Sequence, residues 1–414
     1  MSDHTDKTPN ALRRHVVLAG PANAGKSTLF NALTGQEHAI VSPVPGTTTD
    51  PVSKAMELIP FGPIVLIDTA GLDDTGQLGV QRIHKTKKVL RRADAGIYVA
   101  DANTFREAEY LTFTEERIPH LLVFTKTDEM EPEKLRMLKH KYPDGLYPAG
   151  PAEAGEIREH LSKLLSETEP EVRPLIGDLV PEYGTVVLVT PIDSEAPRGR
   201  LILPQIQVLR ECLDYGIQAM VCRESELERA LKSLQQVDLV VTDSQVFAYV
   251  DKRVPQNVPL TSFSMLLARQ KGDFLQLLAG AGRIPELGDD ARILMLEGCT
   301  HNHTHEDIGR VKLPGMLRQK TGKRLHFDYF GGYDFPADLS GYDLAIQCGS
   351  CMINSREIQI RLEKMEEAGV AVTNYGIALA YGAGILERAA HILTAGATSR
   401  DIGKAKVIRK GISQ

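Results

Sequence analysis

Short apolar runs recur along the chain, each followed by a stretch of helical periodicity. His15-Val-Val-Leu-Ala19, Ile64-Val-Leu-Ile67, Gly96-Ile-Tyr-Val-Ala100 and Leu121-Leu-Val-Phe124 are too short and too uniformly apolar for amphipathic helices, and read as buried strands. Lys26–Leu33, Gly79–Arg92, Glu131–His140 and Glu156–Ser166 read as the helices between them, the first ended by Gly35. This alternation predicts a mostly parallel sheet. The acidic, proline-bearing stretch Ser166–Pro174 reads as a linker. The pattern then resumes. Thr185–Thr190, Gln218–Cys222 and Val237–Thr242 are strands of a second unit, and from about Thr261 a third carries Arg292–Glu297 and Tyr342–Gln347.

The expected fold class is therefore α/β in three domains. A flexible tail, 1–12, precedes a domain over 13–170 whose Gly20-Pro-Ala-Asn-Ala-Gly-Lys-Ser27 loop, between a strand and a helix, marks it as a Ras-like P-loop domain. A middle α/β domain with a parallel sheet follows over 178–262, then a C-terminal α/β domain over 263–414. The middle unit shows no nucleotide fingerprint or reactive constellation. Its Cys212 and Cys222 read as small buried hydrophobes, so self-association is assigned to it by elimination.

Composition narrows the class. A length of 414 residues calls for two or three cores, and 42% hydrophobic with 25% charged residues is ordinary for a globular chain. A net charge of −6 argues against a nucleic-acid binder that works by charge alone. No apolar run reaches the length of a membrane span, and Met1–Asn10 is too polar for a signal peptide. The five cysteines read as reduced thiols in a cytoplasmic protein, with Cys299, Cys348 and Cys351 suited to metal.

Gly20-Pro-Ala-Asn23-Ala-Gly25-Lys26-Ser27 lies between a strand and a helix, the setting of a phosphate-cradling loop. Gly20, Asn23, Gly25, Lys26, Ser27 and Thr28 are the expected phosphate contacts, with Lys26 on the β/γ-phosphates and the Ser27 hydroxyl on Mg²⁺. Asp68-Thr-Ala-Gly71 follows a strand. Asp68 would hold Mg²⁺ through water, and the Gly71 N–H would sense the γ-phosphate. Thr48, preferred over Thr47, would add a switch hydroxyl to the Mg²⁺. Thr125-Lys126-Thr127-Asp128 follows another strand. The Asp128 carboxylate can accept both guanine N1–H and N2–H, so the site favours GTP. Thr125 replaces the usual Asn of this motif, with some expected loss of tethering. Pro148-Ala-Gly150 is a weak signal for a further base-contacting loop. Lys26, Thr48, Asp68 and Gly71 are thus the expected catalytic group. Leu72 stands where Ras-like enzymes place a water-positioning Gln, so intrinsic hydrolysis should be slow. Asn23 and the Gly46-Thr-Thr48 switch resemble the tRNA-modifying GTPases of the TrmE/Era branch, which implies stimulation by K⁺.

Cys348-x-x-Cys351 sits just past a strand, and Cys299 past another. Neighbouring strands would bring them to one rim, where open α/β sheets bind ligands. Three thiolates suit zinc, closed by His301, or a 4Fe–4S cluster with one iron held by a weaker ligand. His301-Asn-His303-Thr-His305-Glu306-Asp307 supplies imidazoles and carboxylates beside Cys299, with His301 and Glu306 both open as a fourth ligand.

Taken together, the TrmE-like loops, the middle α/β unit and Cys299-x-His301…Cys348-x-x-Cys351 resemble the FeFe-hydrogenase maturation GTPases, the HydF family, over nearly the whole chain. Gln347 stands where that family often has His, which raises the weight on His301, Glu306 or an exogenous ligand. The resemblance implies a homodimeric scaffold that binds a 4Fe–4S cluster and hosts a transient diiron precursor received from radical-SAM maturases. It delivers that precursor to the apo FeFe-hydrogenase, with GTP turnover regulating partner exchange and no nucleic acid or membrane involved. The competing reading is a TrmE-like GTPase in RNA modification with a structural zinc.

Overall fold

The computed structural model describes residues 10–35, 51–71, 85–168, 173–192, 199, 201–298 and 308–394. The chain divides into two compact units, Met1–Glu171 and Val172–Gln414.

The first unit is built on a five-stranded sheet in the order β2-β3-β1-β4-β5. Strand β1 (Arg14–Ala19) lies between β3 (Gly62–Asp68) and β4 (Ala95–Asp101) and is parallel to both, and β5 (His120–Thr125) is parallel to β4. The central strands are buried on both faces, which is why they read as unbroken apolar runs. Val16 and Leu18 pack into one core layer with Phe30 and Ile157; Val17 and Ala19 pack into the other with Leu90 and Phe124. Each such side chain contributes about 1.5–3 kcal/mol. Strand β2 (Val52–Leu58) is the addition to the sequence reading. It is antiparallel to β3, at the edge, and its exposure alternates along Ser53, Lys54, Ala55, Met56 and Glu57, so it lacks the apolar run of its neighbours.

The second unit holds two four-stranded parallel sheets. One has β6 (Thr185–Val189), β7 (Gln218–Cys222), β8 (Leu239–Thr242) and β9 (Leu260–Ser262) in the order β7-β6-β8-β9. The other has β10 (Ala291–Glu297), β11 (Leu325–Gly331), β12 (Leu344–Gln347) and β13 (Ala371–Asn374) in the order β11-β10-β12-β13. One apolar core runs through both sheets, from Leu175 and Val187 through Leu266 to Leu294 and Leu393. The helix Phe263–Lys271 leaves β9 and is buried along most of its length. Cys212 is fully buried, and Cys222 nearly so; burial pushes both thiols up to about 11, so they remain protonated and inert. Among the described residues no helix is long and apolar enough to cross a membrane.

Candidate functional site

In the first unit the phosphate loop joins β1 to the helix Lys26–Thr34. Gly20 has φ +141, and a Cβ there would sit 2.1 Å from the Val99 carbonyl oxygen, so β4 admits no side chain at this corner. Asn23 is exposed with φ +58, an uncommon conformation for a residue with a side chain. Thr28 is exposed on the first turn of the helix. Lys26 is buried, and its Nζ donates to the carbonyls of Gly20 (3.1 Å) and Pro21 (2.6 Å). The ammonium thus rests against the loop it would share with a phosphate.

Asp68 ends β3 opposite Leu18 of β1 and is completely buried. The Ser27 hydroxyl donates to its Oδ2 at 2.7 Å, while its Oδ1 is buried without a hydrogen-bond partner. Burial raises the carboxyl above its ordinary range, against the opposing pull of the Ser27 hydrogen bond and the Lys26 charge. The Ser27 hydroxyl and the unpartnered Oδ1 of the carboxylate it bonds are a donor set that fits a hydrated Mg²⁺. Thr69 fixes the strand end by donating to Leu18 O at 2.7 Å. Gly71 follows, half-buried. Thr47, Thr48 and Leu72 lie outside the described residues.

Thr125 makes a tether of its own. Its Oγ1 lies 2.8 Å from Ala24 O in the phosphate loop and 3.2 Å from Ala100 O. The hydroxyl therefore ties this turn to the phosphate loop and to β4. Lys126, at φ +55, pairs with Asp101 at 2.7 Å. The buried Thr127 hydroxyl donates to Pro148 O at 2.9 Å, which fixes the 148–150 loop beside the Thr125–Asp128 turn. Asp128 is exposed on that turn. The Asp101 partnership is a residue the sequence reading missed, because nothing marks one strand-end carboxylate among many.

In the second unit β10 and β12 are parallel neighbours, with Leu296 opposite Gln347. The residues after both strands therefore meet at one rim. The Gly298 N–H donates to Cys348 Sγ at 2.9 Å, and the Ser350 N–H does so at 3.3 Å. Ser350 takes φ +51 to close this turn. Burial raises the Cys348 thiol, and the two N–H groups oppose it. Two amides aimed at one sulfur favour its thiolate, the form that ligates metal. Cys348 and Cys351 also line a cavity of about 160 Å³ with Ser264, Leu267, Glu297 and Tyr375.

Cys299, His301 and Glu306 lie outside the described residues. Among the described residues no group of three or more His, Cys, Asp or Glu could hold a metal ion. Gln347 is buried, and its Oε1 has no hydrogen-bond partner. Sequence reasoning also missed Lys271 and Asn374, which contact the cysteine turn. A lysine closing a helix reads as solvent-facing, so no sequence signal marks it.

Comparison with known proteins divides the chain in the same order. Residues 15–126 match the family model of a 50S ribosome-binding GTPase. Residues 175–272 match the Hydrogen maturase F dimerization domain, and residues 275–392 the Hydrogen maturase F tetramerization domain. The tRNA modification GTPase MnmE of Methylorubrum populi is 45% identical over 117 residues, which are 27% of this chain and 24% of that protein. MnmE of Nitrosomonas europaea is 42% identical over 117 residues, 27% and 26% of the two chains. The chain thus spans about a quarter of the length of these curated relatives. A solved structure of an Era variant from Aquifex aeolicus, bound to GDP and AlF4⁻, is 19% identical and covers 50% of this chain and 92% of that one, with a TM-score of 0.33. The first unit therefore carries a GTPase domain, and the second carries domains of oligomer assembly. The two maturase models together take in more than half of the residues, and the chain belongs to the Hydrogen maturase F (HydF) family of hydrogenase maturation GTPases.

Proposed function

We propose that the chain is a GTP-hydrolysing scaffold that binds a 4Fe–4S cluster, hosts the diiron precursor of the FeFe-hydrogenase active site, and passes it to the apo-hydrogenase. The observation that carries this reading is the juncture of β10 and β12. There Gly298, just past β10, donates to Cys348 Sγ, so the end of β10 meets the turn that carries Cys348 and Cys351. Maturase-type assembly domains on the same chain as a GTPase domain support it.

In the nucleotide site, Lys26 would move from the loop carbonyls onto the β/γ-phosphates, and Ser27 and Asp68 would hold the magnesium. The ion, when bound, offsets charge developing on the phosphate oxygens. Asp128 would select guanine, and Thr48 and Gly71 would register the γ-phosphate. Switch segments that order around that phosphate can alter a docking surface, which suits control of partner exchange. Asn23 would help seat K⁺. Turnover in K⁺ should exceed that in Na⁺, and equal rates remove this element.

In the cluster site, Cys299, Cys348 and Cys351 would hold three irons, leaving the fourth to His301, Glu306 or an exogenous ligand. Such a site releases cargo more readily than a closed tetrahedral one. Homodimerisation, the hydrogenase and radical-SAM partners and a cytoplasmic setting belong to this same proposal. The test is activation of apo-hydrogenase by the cluster-loaded protein. Cys299→Ser, Cys348→Ser or Cys351→Ser should abolish it. Lys26→Ala should remove GTP turnover and leave iron and sulfide content unchanged. A single zinc per chain after anaerobic reconstitution overturns the carrier reading.

A further inference from the structure

One basic side chain in the second unit has no role in the reading above. Lys271 ends the helix Phe263–Lys271 and is only 4% exposed. Its Nζ donates to the carbonyls of Ser350 (2.9 Å) and Ile353 (3.0 Å). Both belong to the turn that carries Cys348 and Cys351. Among the described residues no carboxylate pairs with this ammonium; the charges that act on it are the thiols of Cys351 and Cys348. A buried unpaired charge is costly, and folds tolerate it where an anion arrives to meet it.

The same helix grips the turn a second time. Ser264 and Leu267 lie seven and four positions before Lys271, on one helix face, and both line the cavity beside the cysteines. The Ser264 hydroxyl donates to Asn374 Oδ1 at 3.0 Å, and Asn374 Nδ2 donates to Cys348 O at 3.3 Å. One end of the turn is thus held through Asn374, and the other directly by Lys271.

The geometry points to Lys271 as a positioning residue and buried counter-charge for the cysteine turn, set there to face the anion that Cys348 and Cys351 ligate. The identity of that anion rests on the cluster reading; the grip on the turn does not. An oxidised 4Fe–4S core held by three thiolates is a net anion, and reduction adds a negative charge. A fixed ammonium beside it favours the reduced form. Lysine suits the position because a single tetrahedral head can donate to two backbone carbonyls and remain a compact charge.

Two measurements on the full-length protein test this. In the metal-free protein, Lys271→Met should raise amide exchange of the 348–354 peptide about tenfold, with peptides of the first unit unchanged as an internal control. In the anaerobically reconstituted protein, Lys271→Met should retain iron and sulfide but shift the one-electron reduction equilibrium at least tenfold toward the oxidised form, about 59 mV. Lys271→Arg should lie near the wild type in that shift. Should Lys271→Met fail to fold, Lys271→Gln keeps a donor for one carbonyl and should show the lowered potential with a smaller exchange change. Wild-type exchange and potential in the neutral variants overturn the proposal. A wild-type protein that takes up no cluster, yet shows the exchange effect in Lys271→Met, fails the cluster reading and leaves the grip standing.

Discussion

At the scale of single residues, the nucleotide site is a balance of buried charge. Burial raises the Asp68 carboxyl above its ordinary range, against the pull of Ser27 and Lys26. The folded state therefore holds the proton to higher pH than the unfolded chain does. Stability falls as pH rises from the ordinary carboxylate range through the folded-state value, and the penalty persists above it. Asp68→Asn should raise the thermal midpoint of the nucleotide-free protein at neutral pH, with the gain vanishing in acid, while GTP turnover is lost. An unchanged midpoint at neutral pH contradicts this account. Thr125→Val keeps the shape and removes the hydroxyl that reaches Ala24 O. One hydrogen bond of about 1 kcal/mol should weaken guanine-nucleotide binding about fivefold in a titration. The motif residues were legible because each loop follows an apolar strand and carries its own chemistry. The function of Thr125 was not, because its partner lies about a hundred residues away and only the fold brings it within reach.

Elements were legible in proportion to how apolar both their faces are. Strands β1, β3, β4, β5, β6, β8, β10 and β12 are largely buried on both sides and announce themselves as continuous runs; β7 was read as well, although only Cys222 of it is buried. The misses have physical reasons. Strand β2 is an edge with alternating exposure, β9 has three residues, and β11 has His326 exposed and Asp328 and Tyr329 half-buried. Strand β13 is four residues ending in Asn374, whose side chain caps the next helix. Its packing gives an element-scale prediction. The helix Phe274–Ala281 approaches β13 so closely that a Cβ on Gly280 would sit 1.9 Å from Val372 O. Gly280→Ala must push the helix off the strand, and about 1–3 kcal/mol of stability should be lost in denaturant unfolding. A wild-type midpoint would mean that the helix moves freely.

For the whole molecule, the nucleotide loops of the first unit, and self-association and a cysteine site in the second, were read from the sequence, but not the surfaces through which copies would meet. Assembly leaves little trace in one sequence, because an interface residue and a stray surface hydrophobe look alike. The structure is more informative. Strand β7 is an edge of its sheet, with Val221 44% exposed, and Leu213 of the preceding helix is 71% exposed. Both fall within the dimerization domain. Unpaired edges with apolar side chains invite a second chain. Val221→Lys with Leu213→Glu should lower the mass seen in sedimentation toward the monomer while GTP turnover per chain is kept. A retained oligomer would place the contact elsewhere in the second unit. The helix Phe263–Lys271 leads to a different consequence. It issues from the sheet of the dimerization domain yet carries the groups that hold the cysteine turn, and a single core runs beneath both. The cysteine end is therefore no portable cassette. Grafted onto another protein from residue 275 onward, it would arrive without its own latch. Exchange of this function between proteins would have to move both sheets as one inheritance.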